Sequence, residues 1–451
     1  MAKSGLYTGV DIGTNTIKVL VAEYISGEMN IIGVGNAKSE GLKNGIIVDI
    51  EKVAHALGQA IQTAEERAGI KIDKINVSIP ATQLEMEPCQ GMAAILGASQ
   101  EITDDDVLQV VSNALVRGTT PEREIITLEA TEFTVDGFTG ISDPRGMFGT
   151  RLEMRGLVYT GPRTLIHNVR KVVERAGLFV ENIVIAPLAM AQYVLSEGER
   201  EFGTIMVDLG AGQTTVTAVK DQQIKFTHSS PEGGDYITKD IAAVLETSIK
   251  NAEDLKVNYG EASTERASES ETFAVDVVGQ AQPQEFTELY LSQIIEARLS
   301  QILTRVRQDI DRNRLSEIPG GAVLMGGTAA MPGVVDVATR ILGINARLFV
   351  PTEMGLRNPA FAEVISIVNH IGMRSEIDDL VSYAISGNYT YVEEGNSYVE
   401  PAVSATPVET EVTETPAPAY QAPAAVAPKQ EEEESEGLVG RVRGMFGNLF
   451  D

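Results

Sequence analysis

Residues 9–23, GVDIGTNTIKVLVAE, and residues 206–220, MVDLGAGQTTVTAVK, are two copies of one pattern. In each, an apolar strand runs into Asp-x-Gly, so Asp11 and Gly13 correspond to Asp208 and Gly210. Six residues past that glycine, Val19 and Val216 begin a return strand, and a second turn follows at residues 26–28 and 221–223. Each copy reads as a β-hairpin with a third antiparallel strand. A lone Asp-x-Gly is a common turn element. A pair whose likeness extends through the flanking strands predicts two similar lobes facing one cleft.

The turns of the two copies suit phosphate. A phosphate group needs backbone N–H donors with no side chain in the way, and tight glycine turns supply them. Gly13, Thr14, Asn15 and Thr16 form one such turn; Gly210, Ala211, Gly212, Gln213, Thr214 and Thr215 form the other, and their hydroxyl and amide side chains add further donors. Asp11 and Asp208 end their strands where the lobes would meet. Together they would hold a hydrated Mg²⁺ through its waters, which that ion gives up reluctantly. Lys18 reads either as a phosphate contact or as a solvated strand residue. Gly233, Gly234 and Asp235 precede a helical pattern, another N-terminus suited to an anion or a ribose. Glu253 and Lys256, three apart on one helical face, suit ribose hydroxyls and a base edge or phosphate; taken alone they read as an exposed ion pair. In residues 321–334 a buried strand leads to Gly326 and Gly327, where a flat adenine has room to approach, with a helix expected from about Met331.

Strand-like and helix-like patterns alternate up to about residue 372, which is an α/β signature. From residue 373 the periodicity weakens. Residues 401–434 are rich in Pro, Ala, Thr, Val and Glu, a composition that does not offset its ordering entropy, so 373–434 reads as a disordered linker. The tip at 435–451 turns apolar again. On a helical period Leu438, Val439, Val442, Met445, Phe446, Leu449 and Phe450 share one face, with Arg441 and Arg443 towards its edges. That is the pattern of an interfacial membrane helix, and its glycines weaken it in water by about 1 kcal/mol each. The formal net charge of −28 makes the chain as a whole a poor ligand for nucleic acid or anionic lipid, so membrane contact falls to this local segment. A single cysteine, Cys89, excludes an intrachain disulfide. No His or Cys spacing suggests a transition-metal site, no signal-peptide pattern follows Lys3, and no apolar run approaches the roughly 18 residues of a membrane span.

The two hairpins, the Gly-Gly-Asp, the Ala-Glu-x-x-Lys and the final Gly-Gly together resemble the actin and seventy-kilodalton heat-shock chaperone superfamily over residues 5–350. The resemblance implies an α/β fold of two RNase-H-like lobes with ATP and Mg²⁺ between them. Residues 41–69 and 151–177 resemble the FtsA family of bacterial cell-division proteins in particular. That likeness implies lobe 1 in 1–83 and 163–195 (subdomain 1A), and a family-specific subdomain 1C in 84–162. It implies subdomain 2A in 196–234 and 311–372, and 2B in 235–310. Within 84–162, Thr103 and Asp106 read as a capping box. The resemblance further implies polymerisation with ATP, contact with the C-terminal peptide of the ring protein FtsZ, and tethering of that ring to anionic lipids on the cytoplasmic face of the membrane at the septum. Later division proteins would be recruited there. Among Arg298, Arg305 and Arg307 on the long helix of 2B, Arg298 is the expected peptide contact. One departure concerns catalysis. Hydrolysing relatives carry Glu before the Pro that joins the lobes, whereas here Ala186 precedes Pro187, and alanine neither orients nor deprotonates water. Slow or negligible hydrolysis is therefore expected. The competing readings are a soluble small-molecule kinase of the same superfamily and a pilus-assembly cytoplasmic adaptor.

Overall fold

In the computed structural model the structure describes residues 4–96, 99–116 and 120–386; the apolar tip and most of the linker lie outside them. Two five-stranded sheets repeat one topology. In the first, strand Gly5–Ile12 pairs antiparallel with Thr16–Ile25, which pairs with Glu28–Lys38. On its other side Gly5–Ile12 runs parallel to Lys74–Ile79, itself parallel to Phe179–Ile185. In the second, Thr204–Leu209 pairs antiparallel with Thr214–Lys220, then Gln223–Ser230, and parallel with Ala322–Met325, then Ala346–Leu348. The registers coincide: Asp11 lies opposite Lys18, and Asp208 opposite Thr215.

The central strands are buried on both faces and read as continuous apolar runs, as parallel neighbours require. Helices Ile50–Ala68 and Arg163–Arg175 cover one face of the first sheet through Leu57, Ile61, Val169 and Val173. Asp49 caps the former at its N-terminus and Gly69, in the left-handed region, ends it. The first sheet approaches this helix so closely that a Cβ on Gly35 would overlap the Ala60 carbonyl. In the second lobe, helices Gly234–Val244, Ile249–Tyr259 and Glu288–Arg312 join the sheet in one core built on Val207, Ile241, Leu255, Leu299 and Leu303.

Helix Ala362–Gly372 departs from the expected division, which assigned residues up to 372 to the second lobe. Its Val364, Ile365 and Val368 pack with Leu20, Ala22 and Tyr24 of the first sheet, and Ile367 and Ile371 with Val184 and Ala189. The chain thus crosses back to the first lobe at about residue 362, because this helix is apolar on the side that covers the uncovered face of that sheet.

The inserted subdomain is a four-stranded antiparallel sheet, ordered Glu85–Ala94, Arg151–Pro162, Arg123–Val135, Phe138–Ile141, with helix Asp104–Ala114 packed on it. The Asp106 carboxylate accepts from the Thr103 N–H and hydroxyl at 2.9 and 2.7 Å, so the expected capping box is present. A second difference lies at the linker. A disordered segment was expected from residue 373, but Glu376–Ser386 is a helix whose Ile377, Leu380 and Val381 are buried in the core of the inserted subdomain. Ser375 starts it by donating its hydroxyl to Asp378 at 2.6 Å. Among the described residues no helix is long and apolar enough to cross a membrane.

Candidate nucleotide site

The paired hairpins bring Asp11, Gly13, Thr14, Asp208 and Gln213 to the wall of one cavity of about 80 Å³. Gly45, Ser78, Ala186, Pro187, Thr215 and Glu363 complete most of that wall. Lys18 is not a solvated strand residue: its ammonium lies 2.8 Å from the Asp11 carboxylate and only 12% of its side chain is exposed. Burial alone would lower its pKa, but Asp11, with help from Glu363 and Asp208, outweighs that and holds the ammonium above the ordinary lysine value. Across the cavity, burial and the neighbouring Asp11 charge push Asp208 up to about 6, against a smaller downward pull from Lys18. Burial, then Asp11 and Asp208, push Glu363 well above the usual carboxylate range. Asp11, Asp208 and Glu363 therefore share one cavity wall; among the described residues no group of three or more such side chains is placed to ligate a metal directly, so a divalent cation here would be held through its own waters.

The glycines are spatially required. A Cβ on Gly212 would lie 2.4 Å from Thr14 Oγ1, one on Gly233 would lie 2.5 Å from the Gly210 carbonyl, and one on Gly326 would lie 2.3 Å from Asp208 Oδ1. Gly326 also has φ of +92°, open to glycine and strained for other residues. The N-terminus of helix Gly234–Val244 is tied to the second turn by Gly234 N–H to Gly210 O at 3.0 Å and Asp235 N–H to Ala211 O at 2.8 Å. Thr328 donates its hydroxyl to the same Gly210 carbonyl at 3.0 Å. Gly327 opens a short 3₁₀ turn, Thr328–Ala330, and the α-helix begins only at Val334, three residues later than expected.

The lobes are latched across the cleft. Gln213 donates to Thr82 at 2.8 Å, and Asn15 hydrogen-bonds the Asp235 carboxylate, whose pKa is raised chiefly by burial; within the first lobe, Gly45 N–H donates to Thr14 Oγ1 at 3.1 Å. Thr16 lies on its strand opposite Lys38. Thr214 turns its hydroxyl inward to the Glu232 carbonyl at 2.8 Å; the neighbouring Thr215 lines the cavity. Glu253 and Lys256 do pair, at 2.7 Å, but Lys256 is buried and donates also to Gly234 O at 3.2 Å and Thr238 Oγ1 at 2.8 Å. The exposed-pair reading is thereby corrected, since this lysine braces the Gly233 and Gly234 turn from behind.

Glu363, Ser78 and Thr328 were not singled out from sequence, whereas Thr215 belongs to the second turn as read there. The doubling itself held a signal for Thr215, which occupies the place of Lys18 in the second hairpin. On the long helix the three arginines all make ion pairs within the chain. Arg298 grips Asp240 with Nε and Nη2 at 2.5 and 3.0 Å and lies over the Tyr236 ring; Arg305 pairs with Glu232, and Arg307 with Asp311 and the Leu342 carbonyl. An acidic peptide would have to share Arg298 with Asp240.

Comparisons with known proteins agree with this architecture. Solved structures with the same fold include the PilM–PilN type IV pilus biogenesis complex, with a TM-score of 0.58 at 14% identity, covering 83% of this chain and 100% of that one. Another is the ethanolamine utilization protein EutJ from Carboxydothermus hydrogenoformans, with a TM-score of 0.50 at 15% identity, covering 81% of this chain and 90% of that one. These likenesses concern the fold, which is the actin-like arrangement of two RNase-H-like lobes. Family models described as cell division protein FtsA, as the SHS2 domain inserted in FtsA, and as the C-terminal part of FtsA match residues 205–366, 81–160 and 377–451. Cell division protein FtsA of Enterococcus faecalis is 51% identical, and that of Streptococcus pneumoniae also 51%, each over 100% of both chains. The Bacillus subtilis FtsA is 38% identical over 82% of this chain and 84% of its own. With half of its residues shared end to end with such relatives, the chain belongs to the FtsA family of cell division proteins.

Proposed function

We propose that this chain binds ATP with Mg²⁺ between its lobes, polymerises, and tethers the FtsZ ring to the cytoplasmic face of the membrane at the septum, where later division proteins join it. The observation that carries the nucleotide part is the single cavity in which duplicated hairpins set Asp11 opposite Asp208, with glycine turns on both sides. In this reading the N–H groups of Gly13, Thr14 and Gly212 take the phosphates, while the Gly210 N–H closes its own turn on the Gln213 carbonyl at 3.0 Å. Asp11 and Asp208 hold the metal through water, and the glycines at 233–234 and 326–327 leave room for ribose and base. The chain's residues bind and orient; Ala186 supplies no carboxylate, so turnover is slow, and a phosphate-release rate of several per second with filaments present would sink that part.

The tether reading rests on residues 438–450, outside the described residues. With the roughly 50 residues between Ser386 and Leu438 as a linker, the tip would reach on the order of 40 Å from the body. A single weak anchor is marginal, and a polymer that presents many tips raises avidity without any new contact. FtsZ contact falls to the surface around Arg298. The test is flotation with anionic liposomes of the full chain and of a chain ending at Glu434, each with and without ATP. Flotation of the full chain alone, increased by ATP, is expected. Equal behaviour of the two chains removes the tip as the anchor and returns the choice to a soluble adaptor or kinase.

A further inference from the structure

Helix Ala362–Gly372 brings Glu363, in its first turn, to the wall of the cavity that holds Asp11 and Asp208. The Ser78 hydroxyl donates to Glu363 Oε1 at 2.6 Å. Ser78 sits one residue beyond Val77, which pairs with Val10, so the carboxylate is anchored beside the end of the Asp11 strand. The electrostatic influence runs both ways: Glu363 raises Lys18, and Asp11 and Asp208 both raise Glu363. Ala186 and Pro187 line the same cavity and bring no charge.

A purely architectural carboxylate has cheaper places than this. The helix could start with a serine or a neutral residue and still cover the first sheet, and a carboxyl group buried on the same wall as Asp11 and Asp208 costs the empty protein stability whether it ionises or keeps its proton. Its placement makes sense if a cation enters. The cavity admits several waters or a partly hydrated ion, since one water occupies roughly 10–30 Å³, and Mg²⁺ is held by carboxylates that accept from its waters. We propose that Glu363 is a third carboxylate of the Mg²⁺–nucleotide pocket, fixed by Ser78 and accepting hydrogen bonds from metal-bound water on the side left bare by Ala186. This rests on the nucleotide reading above and adds to it a positioning residue from a helix that follows the second lobe in sequence.

The experiment measures affinity of the full chain for a fluorescent ATP analogue in EDTA and across a Mg²⁺ titration, for the wild type, Glu363→Gln and Ser78→Ala. Wild type should bind more tightly with Mg²⁺. Glu363→Gln should lose about fivefold to tenfold of that enhancement while binding in EDTA unchanged or more tightly, because a like charge near the phosphates is gone. Ser78→Ala should fall between. An enhancement within twofold of wild type in both variants overturns the proposal and leaves the nucleotide reading intact. Wild type that binds no analogue at all overturns both. Should Glu363→Gln fail to fold, Ser78→Ala decides: an unchanged enhancement counts against the proposal and a reduced one for it.

Discussion

Lys256→Met separates a lysine that serves the fold from one reserved for a ligand. The ammonium gives its three donors to Gly234 O, Thr238 Oγ1 and Glu253 Oε2, and the residue is 8% exposed. Methionine keeps most of the apolar stem but takes one donor from each of three acceptors, leaving the Thr238 hydroxyl to serve Gly234 O or Glu253 Oε2 alone. Breaking a buried pair costs about 3–5 kcal/mol. The Glu253 side chain is 34% exposed and regains water, which brings the expected loss to about 2–3 kcal/mol. With a urea slope of about 3 kcal/mol/M, the midpoint of nucleotide-free unfolding should fall by about 0.7–1 M. ATP affinity should fall as well, since the turn at Gly233 and Gly234 loses its brace. A variant within about 0.5 kcal/mol of wild type without nucleotide, yet tenfold weaker for ATP, would refute this reasoning and restore Lys256 as a direct ligand contact.

Two further outcomes follow from the geometry. Asp208 carries a folded pKa of about 6 against an ordinary 3.8, so the folded nucleotide-free protein holds this proton more tightly than the unfolded chain. Its contribution to stability is therefore greatest below about pH 4 and is lost as pH rises through about 6; Mg²⁺ needs the ionised form, so Mg²⁺-dependent ATP affinity should fall about tenfold from pH 7.5 to 5, and by less in Asp208→Asn. Leu380→Ala, at a side chain 1% exposed in the core of the inserted subdomain, should cost about 2–4 kcal/mol and raise amide exchange in residues 104–114; no change in exchange there would detach the helix from that core.

The doubled hairpins were legible because the strand, the turn and the return strand all recur together, and each local choice agrees with the next. Glu363 was not. A glutamate in the first turn of a helix is what any helix start favours, and only the return of the chain to the first lobe carries it to Asp11. The exposed-pair reading of Glu253 and Lys256 failed for a related reason: three-residue spacing shows which side chains are neighbours, but not that Lys256 is buried. The helix at Glu376–Ser386 did leave a trace, since Ser375 and Asp378 have capping spacing and Ile377, Leu380 and Val381 have helical period. The fading pattern around them, next to a Pro-rich run, obscured it.

The main chain passes between the lobes twice, once after helix Ala186–Val194 and again just before helix Ala362–Gly372, and these two helices pack on each other through Ala189, Ile367 and Ile371. A body joined to another by one strand can swivel freely, whereas two neighbouring strands leave it a single axis, as a pair of pins does for a door. The two helices beside these crossings both start at the wall of the cavity, with Ala186 and Glu363. Whatever fills that space therefore sits at the pivot, where a displacement of an ångström becomes a large sweep at the rims of the two lobes.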